Sequence, residues 1–417
     1  MKTTAARIAL SVASLAGAAS AQSFTPMGDL PGGTFYSLGG AISPNGQFAT
    51  GYSDVGGNQR GFRWAKPTGA VSLSGAPANL TDSQAYGISG DGLIVFGQMK
   101  LGANANVPFR WTQAGGMVAM PATPWPDNSA TLALRTSFDG SAVAGTTADT
   151  STGFNGAYRW TASGGYTQIP LLPGASSGVG YGLSGNGATV VGYCWVGSDH
   201  RAFRWSPAGG TTYLGDLPGG LTWSEANNVS FDGRTIVGSS YSANGGEPFI
   251  WTASSGMVSL GNFPAPVPNG GALACSGDGS VVVGYSNNNL NETTAFVWDA
   301  SHGMRTLAAV LSSVGAGPPH GWKLTYAYGI SYDGSTIVGT GLNPSGNTEG
   351  FVARIKRTCP GDINGDGVVN TIDLGMLLSA FGTSVVPLLN GDLDGSGAVN
   401  TLDLGAFLSL FGTSCPA

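Results

Sequence analysis

Residues Tyr181 to Gly220 read YGLSGNGATVVGYCWVGSDHRAFRWSPAGGTTYLGDLPGG, and they parse as four short strands separated by turns. The segment up to Ser184 runs into Gly185-Asn186-Gly187. Asn-Gly or Asp-Gly between two apolar runs favours a tight hairpin, because both residues accept positive φ. Ala188 to Tyr193 is the returning strand, and a polar loop leads to Arg201-Ala202-Phe203-Arg204-Trp205, where Phe203 and Trp205 share one face and Arg204 takes the other. Pro207 to Gly210 then turns the chain into a fourth strand, Thr211 to Leu214, ended by the breaker Gly215-Asp216-Leu217-Pro218-Gly219-Gly220.

This unit recurs. The turn signature Ser-x-Asp/Asn-Gly begins at Ser43, Ser89, Ser137, Ser184, Ser230, Ser276 and Ser331, at spacings of 46, 48, 47, 46, 46 and 55 residues. An aromatic strand follows each turn, with Trp64, Trp111, Trp160, Trp205, Trp251 and Trp298 in six copies; the seventh keeps Phe351 and has Ala353 in the Trp position. Four strands per repeat at a period of 40 to 50 residues is the signature of a β-propeller, so the expected fold is all-β with seven blades. The last repeat stops near Ile355 without a fourth strand, while Phe24 to Gly33 resembles Thr212 to Gly220. The N-terminal segment is therefore expected to complete the last blade and leave no open edge.

Gly makes up 70 of the 417 residues, but the glycines fall at hairpins and strand ends in register with the repeat, so they read as turns and not as disorder. Lys2 and Arg7 precede a small-apolar run from Ile8 to Ala18, and Ala19-Ser20-Ala21 forms an A-x-A cleavage site. Residues 1–21 thus read as a signal peptide, and the protein as secreted, extracellular or periplasmic. No run of 18 apolar residues follows, so no membrane span is expected. From Gln22 to Arg357 there are 15 basic and 17 acidic residues; beyond Arg357 there are six Asp and no Lys or Arg. A near-neutral propeller without basic runs is a poor nucleic-acid binder. The expected division is a propeller over 22–357 and a small α calcium-binding module over 358–417.

That tail contains two copies of one loop, 30 residues apart. Oxygen-bearing residues stand at loop positions 1, 3, 5, 9 and 12, with Gly at 6. This spacing wraps a 12-residue loop around a hard cation such as Ca²⁺, the position-7 carbonyl adding a ligand. The first site would use Asp362, Asn364, Asp366, the Val368 carbonyl, Asn370 and Asp373; the second, Asp392, Asp394, Ser396, the Ala398 carbonyl, Asn400 and Asp403. Each loop leads into apolar residues at helical spacing, Leu374-Leu377-Leu378-Phe381 and Leu404-Phe407-Leu408-Phe411. Six carboxylates without basic partners repel, and two Ca²⁺ would cancel four of those charges, so folding should be coupled to the metal and the tail largely unfolded in chelator.

Residues 361 to 412 resemble a dockerin, the paired F-hand module that docks exported proteins onto cohesin domains; Asp at position 12 fits that family. The resemblance implies two Ca²⁺ and a cohesin-like or other surface protein as partner. Type I dockerins usually carry a Ser/Thr pair at positions 10 and 11 and a basic residue in the following helix. Here those places hold Thr371-Ile372 and Thr401-Leu402, with Leu378-Ser379 and Leu408-Ser409 in the helices. Thr371, Ile372, Thr401 and Leu402 are the expected partner-docking positions, and the departures imply a more apolar face than the familiar type I one. The Cys before the first loop and the Cys-Pro-Ala end resemble the Cys-flanked dockerin-like tails of some environmental bacteria. The propeller is similar to the HAF repeats of exported bacterial proteins, on Leu214 to Gly220, Arg201 to Trp205 and Gly329 to Arg354. That resemblance is specific for fold and carries no agreed biochemical role.

Cys359 and Cys415 bracket the tail, and in an exported protein that placement suggests a disulfide, worth about 4 kcal/mol by loop entropy. Cys194 and Cys275, a blade apart, read as buried apolar side chains. Catalytic material is scarce. His200, His302 and His320 are isolated and loop-like, and Glu225, Glu247, Glu292 and Glu349 sit at different phases of different repeats, though carboxylates could still meet across the channel. The Asp of the Ser-x-Asp-Gly turns reads as hairpin chemistry. Arg63, Arg110, Arg159 and Arg204 alternate with Ile250, Val297 and Val352 in later repeats, which fits a blade-to-blade packing position. An insertion, Arg305 to Lys323, carries a helical run Leu307 to Val314 and then His320 and Trp322; it could be a binding surface or a plug over the last blade.

The sequence therefore reads as a secreted, non-catalytic binding and attachment protein, its propeller presenting a loop face to a protein or glycan. The alternative is a dockerin-borne glycoside hydrolase or polysaccharide lyase, which would need two carboxylates, or a His with a carboxylate, at one mouth of the channel. A purely structural surface-layer component is a third reading.

Overall fold

The computed structural model describes residues 22–102, 106–125, 130–148, 155–355, 361–363, 368–385 and 387–413. The chain divides into two compact units, Gln22–Lys356 and one that holds Arg357–Ala417.

The larger unit is a β-propeller. The fourth repeat shows the plan: antiparallel strands Ser177–Leu183, Val190–Val196, Asp199–Ser206 and Gly210–Tyr213. Its hairpin is built as the sequence suggests. Asn186 Oδ1 accepts the Ser184 hydroxyl at 2.7 Å and the Ala188 N–H at 3.0 Å, while Ser184 Oγ accepts the Thr189 N–H at 2.9 Å. The same three bonds recur at Ser43, Ser89, Ser230 and Ser276, so these polar residues are structural. Phe203 and Trp205 are buried on one face of the third strand. The buried ring packs over a glycine of the second strand that has no room for a methyl group: a Cβ on Gly192 would lie 1.9 Å from the Val179 carbonyl oxygen, and one on Gly238 1.9 Å from that of Glu225.

The sheet count corrects the expectation of seven separate blades. Five blades stand as independent four-stranded sheets, and the fourth and fifth repeats share one eight-stranded sheet. The physical reason is a single parallel residue pair, His200 with Trp223, that links Asp199–Ser206 to the unusually long strand Gly219–Val229. The leading strands Ser37–Ile42, Leu80–Ile88, Ala130–Thr136, Ser177–Leu183, Gly219–Val229, Gly270–Cys275 and Lys323–Ile330 each lie beside the next, and the last lies beside the first.

The ring is clasped by its ends. Ser23–Pro26 pairs antiparallel with Thr348–Arg354 in a four-stranded sheet. The buried Glu349 carboxylate accepts the Gly28 N–H at 3.1 Å and the Asn343 amide at 2.9 Å. Arginines bridge repeats: Arg63 Nε donates to the Gly92 carbonyl at 2.8 Å and Arg159 Nε to that of Gly187 at 2.6 Å, which agrees with a packing role. The insertion behaves as packing too. Helix Leu307–Ser313 buries Leu307 and Leu311, and Trp322 sits edge-on to Phe24 at 5.1 Å. Cys194 and Cys275 are buried free thiols.

At the turn end the centre is filled. Phe138, Phe231 and Tyr332, from the third, fifth and seventh repeats, pack on one another at centroid distances of 5.7 to 6.3 Å. Their backbones are tied in succession, Phe231 N–H to the Gly277 carbonyl, Gly277 N–H to that of Tyr332, and Tyr332 N–H to that of Pro44.

Candidate functional site

The tail unit is two loop-helix halves that brace each other. Helices Thr371–Ala380 and Thr401–Leu410 bury Leu377 and Phe407 against Val369 and Val399. The pairing is reciprocal. Val369 of the first loop exchanges backbone hydrogen bonds with Gly412 and Thr413 after the second helix, and Val399 of the second loop does so with Gly382 and Thr383 after the first. Leu374 and Leu404 are half-buried, while Leu378, Phe381, Leu408 and Phe411, also at helical spacing, are exposed.

Each helix starts in a capping box that also builds the loop. In the second half, Asn400 Oδ1 accepts the Leu402 N–H at 2.8 Å and Asp403 Oδ2 accepts the Asn400 N–H at 2.8 Å. The other oxygen, Asp403 Oδ1, accepts the N–H groups of Leu393 at 2.7 Å and Asp394 at 3.1 Å. Asp392 receives the N–H groups of Ser396 at 3.0 Å and Gly397 at 2.9 Å. Gly397 sits at φ +82°, a turn that side chains resist. The result is three carboxylates, Asp392, Asp394 and Asp403, with an oxygen of each within 4.8 Å of the others; Asp392 and Asp403 are buried and Asp394 is exposed. Burial, with the neighbouring Asp394 and Asp403, pushes the Asp392 carboxyl up to about 6. Asp394 is held below the usual carboxylate range: its own burial would raise it, but hydrogen bonds from Ser396 outweigh that.

Converging anionic oxygens with no basic residue in the tail are the donor set of a hard cation, so the residues fit Ca²⁺. Asn400 also caps its helix: its Oδ1 accepts the Leu402 N–H at 2.8 Å and its amide donates to the Ala398 carbonyl at 3.1 Å. In the first half the same scaffold stands: Asp373 accepts the N–H groups of Ile363 at 2.7 Å and Asn370 at 2.9 Å, and the Asn370 amide donates to the Val368 carbonyl at 3.2 Å. Asp362 lies at the head of that loop, while Asn364, Asp366, Cys359 and Cys415 lie outside the described residues. The four docking positions are all exposed, Ile372 by 59% and Leu402 by 65%.

A second cluster escaped the sequence, which made His200 isolated. His200 Nδ1 lies 2.8 Å from Glu225 Oε1, one repeat on. The imidazole stacks against Tyr193 at 4.8 Å and 17° and against Trp223 at 5.4 Å and 24°, with Trp195 edge-on at 5.2 Å. His302 likewise meets Asp299 at 2.7 Å, within one turn. Only the bulk of aromatic residues beside His200 hinted at the first pair, since its partners are set by blade adjacency.

Residues 360–406 match the family model of the Dockerin type I domain. Dockerin domains bind calcium, engage cohesin-type partners and occur in extracellular proteins. No curated protein matches the chain. Among solved structures, an oligogalacturonate lyase in complex with manganese is 13% identical over 81% of this chain and 97% of its own, with TM-score 0.51. The oligogalacturonate lyase of Vibrio parahaemolyticus is 11% identical over 81% and 98%, with TM-score 0.50. The putative TolB of Agrobacterium tumefaciens is 16% identical over 65% and 88%, with TM-score 0.41. For the two lyases, at these identities, the likeness is one of fold. No described helix is long and apolar enough to cross a membrane.

Proposed function

We propose that this is an exported attachment protein, with a HAF-like propeller carried by a tail that takes up two Ca²⁺ and docks onto a cohesin-like surface protein. The observation that carries the reading is the dockerin match over two loop-helix halves whose docking positions stand exposed. The second ion would be held by Asp392, Asp394 and Asp403 with Ser396, the Ala398 carbonyl and Asn400, and the first by Asp362, Asn364, Asp366, the Val368 carbonyl, Asn370 and Asp373. Calcium would neutralise these clustered carboxylates and so hold the loops closed. Asn370 and Asn400 cap the helices, which keeps Thr371, Ile372, Thr401 and Leu402 on the surface. The exposed Ile372 and Leu402 favour an apolar contact patch. The Cys359–Cys415 disulfide would tie the ends of the module together.

Calorimetric titration of the intact protein with Ca²⁺, followed by capture of the producing organism's surface proteins with and without chelator, tests this. Two binding events and a chelator-sensitive cohesin-type partner are expected; absence of calcium binding would remove the docking role. The His200–Glu225 pair keeps a second reading alive, a carbohydrate-active enzyme, because a His with a carboxylate is an acid/base pair. Release of oligosaccharides from a polysaccharide, lost in His200→Ala, would favour it.

A further inference from the structure

Between the sixth and seventh blades the propeller keeps a cleft of about 460 Å³, within the span of about 300–1,000 Å³ usual for small-ligand sites. Its walls are the first residues of the strands Thr293–Asp299 and Lys323–Ile330, with Leu342 at the end of Thr336–Leu342. These are the strand ends farthest from the turn serines Ser276 and Ser331, so the cleft lies toward the face away from the plug of Phe138, Phe231 and Tyr332. The repeat explains why it is open. Thr293 stands five residues before Trp298, the place that His200 holds before Trp205, and Leu324 stands seven before Ser331, the place that Trp223 holds before Ser230. Between the fourth and fifth blades His200 stacks on Trp223 at 5.4 Å and occupies the seam. A threonine and a leucine in those places are too small to do so, and the insertion adds Trp322 as one wall.

The lining has a chemical bias. Lys323 Nζ donates to Glu292 Oε1 at 2.8 Å, so the two charges at the rim answer each other. Trp322 is half-buried, and its edge-on contact with Phe24, at 73°, covers at most one face of the indole. Among the described residues no protein group bonds the Trp322 indole N–H, the Thr293 hydroxyl or the Tyr326 phenol. We infer that this cleft binds a short neutral sugar, the indole face that Phe24 leaves open lying against the C–H face of a ring while Thr293, Tyr326 and the indole N–H meet its hydroxyls. An aromatic face suits the apolar side of a sugar ring, and hydroxyls, which both donate and accept, match its rim. A charged sugar is disfavoured, because the one cation and the one anion of the lining are already paired. The inference concerns the propeller alone and does not depend on docking by the tail.

The test is calorimetric titration of the full-length protein with cellobiose, xylobiose, mannobiose, lactose and digalacturonate, backed by saturation-transfer NMR of the same probes. At least one neutral disaccharide should bind with a Kd of about 1 mM or tighter, and digalacturonate should bind more weakly. Trp322→Ala should weaken the neutral probe about tenfold, the worth of roughly one aromatic contact. Because Trp322 also touches Phe24, a second variant guards against a folding artefact. Thr293→His places in this seam the side chain that occupies the other one, and it should abolish binding with the propeller's thermal midpoint held. Failure of every neutral probe to bind, tighter binding of digalacturonate, or undiminished binding by Thr293→His would overturn the inference. Calcium uptake and partner capture by the same variants should match the unaltered protein, so failure here is separable from failure of the docking role.

Discussion

Asp392 is the residue on which the tail's dependence on its surroundings turns. Burial and the two carboxylates beside it push it up to about 6, so the folded, metal-free tail favours its protonated form. A raised folded value means stability that is present below the usual carboxylate range and is lost as pH rises through about 6. Metal-free protein should therefore show more tail helix by circular dichroism at pH 4.5 than at pH 7. With calcium the order should invert, since the ion takes the ionised carboxylate. No change with pH in either state would remove the carboxylate cluster as the source of the coupling. Asp403 and Asp373 serve both loop and helix, so Asp403→Asn should abolish one calorimetric binding event and Asp373→Asn the other. Each substitution should also disturb a capping box worth about 1 kcal/mol.

At the scale of the blade, the repeated element is a glycine under an aromatic ring. Gly192→Ala would set a methyl group 1.9 Å from the Val179 carbonyl oxygen of the preceding strand, and we expect a loss of about 1–3 kcal/mol by chemical denaturation. Phe203→Ala, which empties the opposite side of the same contact, should cost about 3–5 kcal/mol. A neutral outcome for Gly192→Ala would mean that the strands can slide apart there. This level was largely legible in the sequence, because hairpin turns and the alternation of Phe203 and Trp205 are local. What was not legible lies between elements. Leu378 and Leu408 matched the helical period but point outward, and a single pair between His200 and Trp223 fused two sheets that the repeat spacing kept apart.

For the whole molecule, the repeat announced a closed ring and the similarity of Phe24–Gly33 to Thr212–Gly220 announced which strand would close it. The pairing of His200 with Glu225 and Trp223 was invisible, since they come from two repeats that meet only once the blades pack. The clasp itself can be tested. Deleting residues 22–28, or replacing Glu349 by Leu so that the Gly28 N–H loses its acceptor, should lower the propeller's thermal midpoint while leaving calcium binding by the tail intact. The clasp also orders events in time. Its partners stand 321 positions apart, against about ten across a hairpin. Each doubling of a loop adds about 0.6 kcal/mol of closure entropy, so this contact is about 3 kcal/mol costlier to form than a local one. A chain emerging from the ribosome makes Ser23–Pro26 first and can use it last. Until the final sheet arrives, Phe24 lacks Trp322 and Phe351 and Met27 lacks Val338 and Val352, so the leading end waits partly uncovered through the synthesis of every blade between.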